Sequence, residues 1–510
     1  MGESTDKPPA LSSRELACLA AAFAMVHALA YAVGLRFITD SLGLFMQFLD
    51  PELLRTRLFE SLFHMHIQPP LFNLFLGAGL KLGDIAAPLF FHGVFLVLGF
   101  AMYAAIYALQ RRLGVSRIIA GVSSTLFMAS PPFLLAGHWL FYTFPCAALL
   151  TLSCLWLDHF VRTGRRGPLW AFFGCLVMLA GMRSVFHLAW LGVISLGLMA
   201  ALPRHRRPVA CVAAVAFVLC TLPYAKNAAL FGEFTVSSWS GKHLWIKTVG
   251  NMDPAERQRL YDDGLLTPVS RPGLNRFEAT EYYPESYLDA AEFQDIPVLY
   301  TLYKSTGHIN YNHIAQIAIS NDYGRDARYV LWRYPKVFAV TTVQSALLYL
   351  TSNTSWARES ENYARLRPWV WLYDTFVYGR LPFNVYGGFR NITKLVREQY
   401  AVLMAALPAA FMIGVAAAFR GRLGRQTLDG SGRLLLAYMV FNILYTGAVA
   451  VLFELAETAR MRFMTDPLSV VLLGFAAQML IQYVRSLRSD RRIYSPVGGS
   501  IWRIPRKEEK

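Results

Sequence analysis

Apolar runs of bilayer length recur along this chain, and one long polar stretch interrupts them after residue 226. A helix needs about 20 mostly apolar residues to cross a bilayer, and it satisfies its own backbone hydrogen bonds while doing so. The pattern predicts an all-α polytopic membrane protein: a bundle of about 10 transmembrane helices with an extracytoplasmic loop layer. The predicted spans cover 14–37, 86–109, 117–137, 139–161, 168–186, 187–202, 208–226, 400–419, 432–455 and 467–486. Segment 69–82 is short and reads as a juxtamembrane or re-entrant helix. Segment 335–351 is also apolar but short, and the pattern leaves open whether it crosses. Residues 366–390, with Trp369, Trp371, Tyr373, Phe376 and Tyr378, read as an interfacial aromatic belt.

Three modules follow. Residues 1–226 form an N-terminal transmembrane module whose first outer loop is 38–68. Residues 227–398 form an extracytoplasmic loop domain with interfacial helices, and 399–510 a C-terminal transmembrane module with a cytoplasmic tail. No internal repeat stands out, which removes the usual signature of inverted-repeat transporters.

Charge orients this path. The 49 Lys and Arg exceed the 33 Asp and Glu, for a net charge of +16. The basic clusters Arg111-Arg112, Arg162 to Arg166, Arg204 to Arg207, Arg420 to Arg425 and Arg485 to Arg492 each adjoin an apolar run. That is the positive-inside pattern rather than a nucleic-acid surface, and it places both termini in the cytoplasm. The Ala- and Arg-rich composition fits a bacterial plasma (inner) membrane. All six cysteines lie in apolar runs, so a disulfide framework is not expected. Leu16 to Leu35 lacks a small-residue cleavage site and reads as a retained first helix.

The chemistry-bearing residues gather on the outer face of this topology. Asp40, Asp50, Glu52 and Glu60 lie in the first loop. Asp50 opens an amphipathic stretch running from Leu53 to Phe63, so it is a helix N-cap or a carboxylate held over the bilayer edge. Arg183 sits in an unbroken apolar stretch, where an arginine costs about 2.5–3.5 kcal/mol near a span centre. It needs a carboxylate or a lipid phosphate as partner. Lys226 ends a span and either snorkels to the headgroups or faces such a phosphate. Arg460 and Arg462 would diverge on a helix but form a two-pronged clamp on an extended turn. Glu457 lies three residues before Arg460, so a local pair is open to it. His64 and His66 have the wrong spacing for one helical face, and no nucleotide-binding loop or Ser-His-Asp pattern is present.

Two of these elements resemble the GT-C superfamily of membrane glycosyltransferases, the group of protein O-mannosyltransferases and aminoarabinose transferases. Asp50 is followed by Gln68-Pro69-Pro70-Leu71, where the family commonly carries H-P-P-L. The segment Glu457-Thr458-Ala459-Arg460-Met461-Arg462-Phe463 to Pro467 looks like its late E-x-x-R-Y-R…P element. The resemblance covers the transmembrane frame and leaves 227–398 unexplained. It implies inverting transfer of a sugar from a polyprenyl-phosphate donor to a glycan, lipid or protein acceptor on the outer face. It further implies a general base at Asp50, with Asp40 as alternative. The donor phosphate would meet Arg460, Arg462, Arg183 and Lys226, and the acceptor or sugar would meet Glu52, Gln68, His138 and Glu457. No fixed cofactor is implied, and a divalent cation is compatible. Many relatives carry a second acid in the next outer loop, where this chain has Gly137-His138-Trp139 and no acid. The competing functions are a transporter or flippase of a lipid-linked glycan or phospholipid, and a non-catalytic envelope-assembly scaffold.

Overall fold

In the computed structural model, residues 11–288, 291–358, 360–382, 398–423, 426–455 and 457–493 are described. The stretch 383–397 of the expected loop layer and the tail beyond 493 lie outside them. Seven helices are long and apolar enough to cross a membrane: Ser13–Ala32, Ala86–Arg112, Thr143–Thr163, Pro203–Phe231, Val402–Arg420, Gly430–Phe453 and Asp466–Arg485. These coincide with seven of the ten spans read from hydropathy.

The other three spans take shorter forms. Segment 117–137 is two helices, Arg117–Met128 and Pro131–Gly137, bent by 54°. The cause is local: Ser130 caps the second helix and Pro131 occupies its first turn, where neither proline can donate to the preceding helix. Arg166–Met182 and Leu188–Ala201 are apolar but have only 17 and 14 residues. Pro335–Tyr349 has 15 residues, or about 22 Å at 1.5 Å per residue against a hydrocarbon core of about 30 Å.

Thr143–Thr163 runs through the middle of the bundle, and its packing neighbours include Ala86–Arg112, Arg166–Met182 and Gly430–Phe453. Near its C-terminal end the buried Asp158 takes Arg112 at 2.7 Å and Arg162 at 2.9 Å. Two charge-assisted bonds offset the desolvation of that carboxylate and tie two long helices together. Mid-bundle, Trp190 donates to Asn442 at 2.9 Å.

The first loop differs from its predicted form. Its amphipathic stretch is split into Pro51–Thr56 and Leu58–Phe63 by Arg57 (φ −127°, ψ 46°). Leu54 and Leu58 on either side of the break are both buried, against Gly77 of the Leu71–Leu80 helix. A Cβ on Gly77 would stand 2.3 Å from a Leu58 methyl, so the missing side chain admits that leucine.

The hydrophilic stretch after residue 231 has a core of its own, built on Trp245, Val249, Leu260, Tyr323 and Val330. It forms where Ser240–Lys247 crosses Ala315–Arg333. The crossing is close because Gly241 and Gly324 meet there: a Cβ on Gly241 would lie 1.8 Å from the Ser320 carbonyl oxygen. Backbone cannot yield as a side chain can. Gly241→Ala is therefore expected to destabilise this unit by ~1–3 kcal/mol, read as a lower melting temperature in detergent. Gly121→Ala, with nothing within 4 Å of its added Cβ, should be neutral or slightly stabilising.

Candidate active site

A cavity of about 420 Å³ lies where the hydrophilic unit meets the helix bundle. Its bundle-side wall includes Met46, Gln47, Gln68, Tyr142, Arg183 and Met461. The opposite wall includes Ser237, His243, Ser320, Asn321 and Arg328, and Glu454 and Glu457 lie at the seam. One wall thus mixes apolar side chains with two amides and a guanidinium, and the other is rich in hydroxyl, amide and charged groups.

Arg183 reaches the cavity because its helix stops one residue earlier. The Arg166–Met182 helix ends and Arg183 adopts an extended conformation (φ −147°, ψ 131°). Its guanidinium lies 4.6 Å from the Tyr142 ring centroid, a cation–π contact. Its Nε is buried without a hydrogen-bond partner, and among the described residues it has no carboxylate partner. Gln68 stands beside it, its Oε1 accepting from Ser184 Oγ at 3.4 Å.

The closing motif forms the Thr458–Phe463 helix, so Arg460 and Arg462 diverge and make no two-pronged clamp. Arg460 is buried, pairs with Glu457 and stacks 4.5 Å from the Phe141 centroid. Arg462 is held by Asp466 at 3.1 Å, by Asn353 at 3.0 Å and by the Tyr349 carbonyl. Neither arginine is among the residues lining the cavity, whereas Glu457 is.

Asp50 takes the N-cap role. Its Oδ1 accepts the Glu52 N–H at 3.0 Å and the Ser305 hydroxyl at 2.5 Å, and its Oδ2 accepts the Ser305 N–H at 2.8 Å. It does not line the cavity. Asp40 is exposed and makes no side-chain cap bond, and Glu52 is exposed in the first turn of its helix. Lys226 donates to the Met65 carbonyl and lines a separate apolar groove with Phe59, Leu62, Phe63, Leu74 and Leu222. His138 is buried, its Nδ1 2.8 Å from the Leu134 carbonyl and its Nε2 3.3 Å from the Tyr31 hydroxyl. Among the described residues no three His, Cys, Asp or Glu side chains are placed to hold a metal ion.

No family model matches this chain, and no curated protein matches it. A similar solved structure is that of ArnT from Cupriavidus metallidurans bound to undecaprenyl phosphate. The two are 13% identical, with 96% of this chain and 82% of that chain covered and a TM-score of 0.34. That likeness is too loose to carry any residue of one chain onto the other.

Sequence reasoning did not assign His243, Glu454, Ser320 or Arg328 to the site. Glu454 is an acid at the end of the apolar run 432–455, but nothing in the local spacing marks the other three.

Two outcomes follow from the Asp50 anchorage. Asp50→Ala should cost ~1–2 kcal/mol of stability, and Asp50→Asn less, because Asn caps helices about as well as Asp. Unfolding in detergent measures both. Beside it, burial pushes the Lys304 amine down to about 8, with the Asp50 charge opposing. A folded-state pKa below the unfolded value of about 10.4 penalises the charged form, so the penalty applies in full below pH 8. Stability should rise by up to ~3 kcal/mol as pH increases from 8 towards 10.5, and Lys304→Met should flatten that part of the rise.

Proposed function

We propose that this chain is a multi-pass membrane glycosyltransferase of GT-C type. It moves a sugar from a polyprenyl-phosphate donor to an acceptor on the outer face of a plasma membrane, with inversion and with both termini cytoplasmic. One observation carries the reading. The two elements behind the GT-C resemblance, far apart in sequence, line the same cavity: Gln68 from the first, Glu457 and Met461 from the second.

The physical chemistry of the cavity fits that reaction. A departing lipid phosphate carries growing negative charge, and a cation already in place stabilises it without reorganising. Arg183 is such a cation, with donor capacity left over. The apolar groove that Lys226 lines shares the Gln68-to-Leu71 turn with the cavity: Gln68 faces one, Pro70 and Leu71 the other. A lipid chain in the groove would leave its phosphate near Arg183, with Lys226 alongside. The polar wall would receive the acceptor. Asp50 as base would first have to release Ser305; in this reading it holds the loop.

The test uses full-length protein in detergent, a panel of polyprenyl-phosphate sugars and membrane extract as acceptor. The expected result is donor-dependent transfer with inverted anomeric configuration, and Arg183→Gln should lower kcat/KM by ~10²–10³. If no donor is consumed, while reconstituted protein moves a lipid-linked sugar across vesicles, the chain is a transporter instead.

A further inference from the structure

The cavity contains an acid–base pair that belongs to neither of the two motifs. His243, on the Ser240–Lys247 helix, places Nδ1 3.1 Å from Glu454 Oε2. The two are within reach but not aligned, so Nδ1 makes no hydrogen bond in this arrangement; catalytic contacts are often misaligned until substrate binds. The ring's Nε2 has no hydrogen-bond partner among the described residues. Both residues line the cavity.

Glu454 is built to stay charged. It follows the last residue of the Gly430–Phe453 helix, and its Oε1 accepts the Leu455 N–H at 3.0 Å and lies 3.4 Å from Arg276 Nη2. Burial alone would raise its pKa, but His243, Arg276 and the Leu455 N–H outweigh burial and hold it low. An ionised carboxylate at Nδ1 draws the ring proton to that nitrogen and leaves the Nε2 lone pair for the cavity.

A second observation points to a ligand on the same wall. Ser320 is buried and its hydroxyl has no partner, an arrangement that costs free energy unless something else binds there. Ser320, Asn321 and Arg328 come from one helix, Ala315–Arg333, which also packs on the helix of His243. The polar wall therefore presents hydroxyl, amide and guanidinium groups beside an imidazole. A polyhydroxylated acceptor offers the matching donors and acceptors.

We infer that His243 is the proton acceptor of this site, that Glu454 is its positioning residue, and that the acceptor substrate is a hydroxyl compound bound against the Ser320 wall. The inference rests on the glycosyltransferase reading. The acceptor hydroxyl gives its proton to His243 Nε2. Its oxygen pair forms the bond to the anomeric carbon as the bond from that carbon to the phosphate oxygen breaks. The phosphate leaves with that electron pair, facing Arg183. The imidazolium, steadied by Glu454, returns its proton to water after the product leaves.

The experiment measures transfer and donor binding separately, in full-length protein with a polyprenyl-phosphate sugar and a hydroxyl acceptor. His243→Ala should lower kcat ~100-fold or more, keep donor affinity, and regain part of its rate with added imidazole. His243→Asn keeps a hydrogen-bond donor towards Glu454 without a base, so it should fold and remain inactive. Glu454→Gln should lower kcat while leaving the donor KM unchanged. Transfer by His243→Ala and His243→Asn at the wild-type rate would overturn the inference and leave the glycosyltransferase reading standing. So would loss of transfer in a folded Asp50→Asn protein alongside an active His243→Ala. A wild-type protein that consumes no donor would overturn both.

Discussion

The C-terminal end of the Gly430–Phe453 helix is the joint on which the rest of the site depends. A helix end presents unpaired carbonyls and a partial negative charge, and here the next residue is the anion Glu454. Left alone, that combination would repel itself. Two cations and a histidine from the hydrophilic unit resolve it. Lys247 donates to the Val451 carbonyl at 2.9 Å, to the Thr341 carbonyl at 2.9 Å and to Ser345 Oγ at 2.6 Å. Arg276 and His243 take the carboxylate. Ser345 closes the circuit by donating to the Glu454 carbonyl at 2.7 Å. Burial pushes the Lys247 amine down to about 8, with the Glu454 charge opposing, so the network costs free energy to bury. Such a network holds one arrangement because removing either partner of a buried ion pair is costly, even with Arg276 Nε and Nη1 left without partners. The position of the hydrophilic unit over the bundle is thereby specified rather than merely favoured.

The same joint explains why the cavity has a fixed shape. Lys247 and His243 lie four residues apart on one short helix, so anchoring the first sets the second over Glu454. The Gly241–Ser320 contact then fixes how deeply the Ala315–Arg333 helix sits against that helix. Three cavity-lining groups, His243, Ser320 and Arg328, are positioned by one buried ammonium and one glycine. The arginines nearby differ in an informative way. Arg460 and Arg462 lie outside the cavity lining and have carboxylate partners, whereas Arg183 lines the cavity, rests on an aromatic ring and has no carboxylate partner among the described residues. A guanidinium paired with a carboxylate builds structure, and one without such a pair beside a cavity is available to an anion.

Much of the bundle was legible because hydropathy and basic clusters act locally. The long helices fall where the apolar runs are, whereas the expected single span 117–137 is bent at Pro131 and Pro132. The N-cap at Asp50 could be read for the same reason, as could the divergence of Arg460 and Arg462 once the segment is helical. What could not be read is the pairing of His243 with Glu454. Each belongs to an unremarkable local stretch, and only the crossing at Gly241 and the anchorage of Lys247 bring them together. The split of the first-loop helix at Arg57 was hidden too, because the glycine that Leu54 and Leu58 pack against lies on another helix.

Asp50 carries a motif and holds the first loop from outside the cavity lining. Lys304 donates to the Gly43 carbonyl at 3.3 Å and the Phe45 carbonyl at 2.8 Å, while Asp50 holds the backbone N–H and hydroxyl of Ser305. Two adjacent residues of the hydrophilic unit therefore grip the first loop on both sides of Met46 and Gln47, two of the residues it sends into the cavity wall. Asn73 holds the same stretch from below, accepting the Leu49 N–H at 2.9 Å and donating to the Gln47 carbonyl at 3.1 Å. A carboxylate with two oxygens is well suited to this grip, since it can accept the Glu52 N–H that starts a helix and both Ser305 donors at once. An aspartate at this position helps shape the cavity wall, and that role accounts for it whichever group takes the proton.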